Sequence, residues 1–136
     1  MGALRTIIGA VFASLCLATP GFCFSLSPQD RLQVFAVCAG RLSALEEQQR
    51  MFDGPASERT AAQIRDFEAL IEALLPFAVQ EGLNGRSVLH WRVDAKMAQA
   101  MLLQAAVFGT DPNRADMAQQ RADSLLVSCK SLLLGA

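Results

Sequence analysis

Tyrosine is absent from this 136-residue chain, and tryptophan and histidine occur once each. A platform that stacks bases or sugars draws on such rings, so we expect no surface of that kind. One histidine, His90, also leaves little room for metal or acid–base chemistry. Di-iron bundles use Glu-x-x-His on facing helices, and Ser87 stands three residues before His90. Covalent haem attachment needs Cys-x-x-Cys-His, which does not occur. Cys38, Cys129 and His90 together fall one ligand short of a zinc site. There is no Gly-x-Ser-x-Gly, no glycine-rich phosphate loop and no second histidine for a triad or its variants. Met97 and Met101 lie one turn apart and carry soft sulfur, but methionine at helical spacing reads first as core filler. These absences lead us to expect no cofactor, no metal and no enzymatic activity.

Charge of one sign is scarce as well. With Arg5 set aside, 11 basic side chains face 13 acidic ones, and no basic patch occurs. Nothing therefore recruits nucleic acid or an anionic membrane surface. Glu46-Glu47-Gln48-Gln49-Arg50 reads as a solvated helix face. Sustained alternation of apolar and polar residues is also missing, which argues against strands.

What is present begins at the N-terminus. Arg5 is followed by an uncharged run from Thr6 to Ala18, then Pro20-Gly21 and small residues up to Ser25. A basic start, an apolar middle and a small-x-small site make residues 1–25 an expected signal peptide. Cleavage after Ser25 or Cys23 fits, and cleavage after Ala18 fits too. Lipidation at Cys16 or Cys23 is disfavoured by Leu15 and Phe22 just before them. The competing reading is an uncleaved membrane anchor, because no charge occurs from Thr6 to Gln29. Residues 26–136 remain as one domain, in a periplasmic or secreted setting.

That domain reads as four helices. Ser27, with Pro28 and Asp30 behind it, starts the first. Phe35, Cys38, Leu42, Leu45 and Phe52 form its apolar stripe, with Gln49 the one polar member. Ser57 is expected to cap the second, whose stripe is Ala61, Ile64, Phe67, Ile71, Leu74 and Ala78. Pro76 either kinks that helix or ends it at Leu75. Gly82 to Gly85 marks a turn. The third helix spans about 87–108 with Trp91, Ala95, Ala98, Leu102 and Ala105 inward, and Gly109 stops it. Asp111-Pro112 starts the fourth, with Ala118, Ala122, Leu125, Cys129 and Leu132 inward. Short linkers predict an all-α, up-down-up-down four-helix bundle in which sequential helices pack antiparallel.

Removing residues 1–25 leaves two cysteines, Cys38 and Cys129, both on apolar stripes. Export makes an even count read as a disulfide. Helix rise puts the two at depths of roughly 16 and 9 Å from one end of antiparallel first and last helices, compatible with a bridge. Two separate buried thiols are the alternative. The strip Ala36, Ala39 and Gly40 beside Cys38 suggests close helix packing. Arg41, next to it, reads as an ordinary exposed arginine. His90-Trp91-Arg92 is the candidate interaction patch, because an apolar body with a polar rim suits binding. The plainer reading packs Trp91 in the core and leaves His90 and Arg92 in solvent.

The segments Cys38-Ala39-Gly40-Arg41-Leu42-Ser43-Ala44 and Val88-Leu89-His90-Trp91-Arg92-Val93-Asp94-Ala95-Lys96-Met97-Ala98-Gln99-Ala100, with the late Cys129, resemble those of small exported helical bacterial proteins of unknown function. The resemblance implies a secreted helical domain and transfers no catalytic residue. The expected role is contact with an unidentified protein partner. A membrane-tethered accessory or assembly factor is second, with membrane attachment only through an uncleaved N-terminal segment. A bundle holding a lipid or haem among Phe67, Leu74, Met101 and Leu102 is third.

Overall fold

The computed structural model describes residues 26–134. Their regular structure is entirely helical: α1 (Pro28–Phe52), α2 (Gly54–Gln80), α3 (Gly85–Phe108) and α4 (Pro112–Leu134). The expected signal peptide, with Cys16 and Cys23, lies outside the described residues. No helix among the described residues is long and apolar enough to cross a membrane.

Local chemistry sets the helix boundaries. Ser27 Oγ accepts the Asp30 N–H at 3.1 Å, and the Asp30 carboxylate accepts the Ser27 N–H at 3.3 Å. This reciprocal pair satisfies donors that have no partner inside the helix. α1 ends at Phe52, and a single residue, Asp53, separates it from α2. Its carboxylate accepts the Ala56 N–H at 2.9 Å, so Asp53 and not Ser57 caps α2. The reason lies in Pro55. Its missing N–H costs nothing in a first turn, so the helix starts before Ser57. Ser57 is instead a buried helical residue whose hydroxyl donates to Gly54 O at 2.8 Å. α2 also runs through Pro76 to Gln80 rather than ending at Leu75. Glu72, whose carbonyl loses its helical donor to Pro76, is exposed, as is Pro76, so water is at hand on that side. Gly82 then turns the chain with φ +98°, a conformation that costs other residues more. Asn84 caps α3 and Asp111 caps α4, each accepting a backbone N–H at 3.0 Å.

The helices alternate in direction, yet their packing departs from a square. α1 is the central helix and lies closely against both α2 and α3; α4 lies against α3 and meets α1 and α2 more sparingly. α2 and α3, neighbours in sequence, are not a closely packed pair. Gly40 explains why α3 docks on α1. A β-carbon at Gly40 would collide with the Arg92 carbonyl oxygen and lie 3.1 Å from Lys96 N. Hydrogen alone lets the two parallel backbones meet there. The small-residue strip Ala36, Ala39 and Gly40 is fully internal.

The main core joins Leu32, Ala36 and Leu42 of α1 to Phe67 and Ile71 of α2 and to Leu126 and Cys129 of α4. The rings of Phe35 and Phe67 pack 5.9 Å apart. A second cluster joins Ala44, Leu103 and Ala122. The α2 stripe is buried or half-buried along its length. Three other stripes need correction: on α4, Leu132 is exposed, while Leu126, next to the expected Leu125, is buried. Phe52 ends α1 exposed. On α3, Ala98 and Ala105 face solvent, while Gln99 and Leu103 are buried. The polar Gln99 occupies the inward position, which displaces the stripe read from apolar residues alone.

Candidate functional site

A disulfide joins Cys38 to Cys129, with Cα atoms 5.3 Å apart. Both residues are buried in the main core. The bridge ties the central α1 to α4, the helix with the sparsest contact to it. Arg41 lies beside this bridge, its Nη1 3.9 Å from Cys129 Sγ, and is half-buried rather than exposed. Burial first, and the charge of Arg121 second, push its pKa below the ordinary arginine value. The guanidinium keeps its proton all the same.

The run Glu46 to Arg50 is built into helix contacts rather than freely solvated. Glu46 is buried and accepts from Arg50 Nε at 2.6 Å. Glu47 pairs with Lys96 of α3 at 2.6 Å. Gln49 accepts from Thr60 of α2 at 2.6 Å. A run of polar letters hid one buried and two cross-helix partners.

The three residues of the candidate patch point to different sides of α3, since consecutive helical residues turn by about 100°. His90 is exposed, and its Nδ1 lies 2.9 Å from Asp94 on the same helix. Trp91 is half-buried and packs against the main core. Arg92 is half-buried and donates to Glu68 of α2 at 2.7 Å. Phe67, Leu74, Met101 and Leu102 do not gather either. Phe67 is fully buried and Leu74 packs against the same core, whereas Met101 is exposed.

A different surface emerges on α3. Leu89, Val93, Met97 and Met101 follow one another at four-residue steps, and Phe108 comes two turns later. Each is between 47% and 75% exposed. Residues at that spacing share one helix face. Met97 and Met101 are therefore surface residues and not core filler. At the C-terminal end of α3 this face borders a groove of about 280 Å³ whose walls include Met51 and Phe52 of α1 and Val107 and Phe108 of α3. Near its N-terminal end, Leu89 lines a second groove of about 330 Å³ against Ile71 and Leu75 of α2. The signal was available in the four-residue spacing, but Trp91 and the alanines drew the inward assignment to the opposite side. No family model, curated protein or solved structure matches the chain.

Proposed function

We propose that this protein is an exported, non-enzymatic helical domain that acts through protein contacts made by the outer face of α3. In this reading residues 1–25 direct export to the periplasm or beyond. The mature chain is an up-down-up-down bundle of the kind found among small exported helical bacterial proteins. The apolar face of α3 carries the proposal. Contiguous exposed apolar surface of this extent is uncommon on monomeric proteins and marks interaction sites. Methionines suit such a role, because their flexible, polarizable side chains adapt to a partner. His90 stands at the margin of this face, and Trp91 and Arg92 anchor α3 from behind it to the core and to Glu68. The Cys38–Cys129 bridge is compatible with an oxidising compartment.

The test is affinity capture from the native host under crosslinking, with wild type beside Met97→Glu/Met101→Glu. The contact reading expects adducts from wild type that the variant loses. Equal capture by both proteins would reject α3 as the contact surface.

A further inference from the structure

We infer that the occupant of the α3 face is a second copy of this chain, which pairs about a two-fold axis to give a dimer. The inference rests on the contact reading above and names its partner.

Three observations support it. The first is area. At their observed exposures, Leu89, Val93, Met97, Met101, Val107 and Phe108 offer at most about 650 Å² per copy, which approaches the roughly 800 Å² that each partner gives to a standard interface. Met51 and Phe52 flank the same end of α3 and extend that surface. The second is charge. An isologous interface sets a patch against itself, so an uncompensated charge would meet its own image. The charges beside this face balance in sign: Glu47 is bound to Lys96 at 2.6 Å, while Asp94, 2.9 Å from His90 Nδ1, and Arg86 are exposed charges of opposite sign. Self-pairing therefore sets a face flanked by one exposed charge of each sign against itself, and the face offers no net charge to select an oppositely charged partner. The third is shape. Leu89, Val93, Met97 and Met101 form a ridge along a four-residue row, and such a ridge fits the grooves beside the same row on another helix.

Sedimentation and light scattering on the full chain, purified as its host delivers it, test the inference. Wild type is expected at dimer mass by about 10 µM, at the weak end for interfaces of this size. Met97→Glu and Met101→Glu are each expected to raise the dissociation constant by at least about a hundredfold, since the two-fold axis counts every substitution twice. Val127→Glu, an equally exposed position on α4, should leave the mass unchanged. Helical circular dichroism should be the same for all variants, because the substituted side chains are exposed. A wild-type monomer up to about 100 µM, far above the dissociation constants of such interfaces, would overturn the dimer. If that monomer still captured a different protein through α3, the contact reading would stand without it. A dimer that survives both methionine substitutions would also overturn this assignment.

Discussion

Replacing Gly40 by alanine probes the contact that sets the arrangement of the helices. The new β-carbon would overlap the Arg92 carbonyl oxygen, with the Arg92 carbonyl carbon at 3.0 Å and Lys96 N at 3.1 Å. All three atoms belong to the backbone, so no side-chain rotation relieves the overlap. α3 must move off α1 as a unit. Overpacking of this type costs up to about 3 kcal/mol. The better helix propensity of alanine returns up to about 1 kcal/mol. The net expectation is a loss of about 2 kcal/mol, or a fall of about 8–16 °C in Tm for a domain near 100 residues. Gly85→Ala is the reference, because a β-carbon there meets nothing within 4 Å. That variant should be neutral or stabilised by up to about 1 kcal/mol, through a less flexible unfolded chain. Parallel thermal and urea melts decide the matter. A Gly40→Ala protein as stable as wild type would refute the close approach of α1 and α3.

Two further outcomes follow from the same structure. Opening the Cys38–Cys129 bridge by the double alanine substitution releases a 91-residue loop, and should lower unfolding free energy by about 4–5 kcal/mol in urea. Thiol labelling of residues 26–136 without reductant should leave their mass unchanged, whereas two added labels would mean free thiols. Gln99 is buried, donates to Ala122 O at 3.3 Å, and leaves its Oε1 without a partner. Gln99→Leu should therefore be neutral or stabilise by about 1 kcal/mol in the same melts. A loss larger than that would show that the amide oxygen is satisfied in solution.

The sequence announces its helices through end signals with local mechanisms. Ser27-Pro28-x-Asp30 and Asp111-Pro112 act within one turn, so no tertiary knowledge is needed to read them. The bridge was legible from a different signal: an expected export signal leaves an even pair of cysteines, and both lie on apolar stripes. Ser57 misled because Asp53 serves both as the end of α1 and as the cap of α2, a double role that spacing does not display. The packing scheme was less legible. Short linkers dictate alternating directions, but they do not say which helix becomes central. That choice follows from a hydrogen atom at Gly40 meeting the backbone of α3, a contact between residues 52 positions apart. The outward face of α3 was missed because Met97 and Met101 look like core residues when only composition is weighed. Burial is a property of the neighbour a side chain finds, and α3 spends its opposite side on α1 and α4.

The central claim is that the outer face of α3 is a working contact surface. A photoactivatable amino acid at Met97 or Met101, introduced into the full chain in its native host, tests it most directly. The same group at Val127 on α4 serves as the reference. The account predicts adducts of defined mass from both α3 positions and none from Val127. Irradiation that yields no adduct from either α3 position, with the protein folded and abundant, would contradict it.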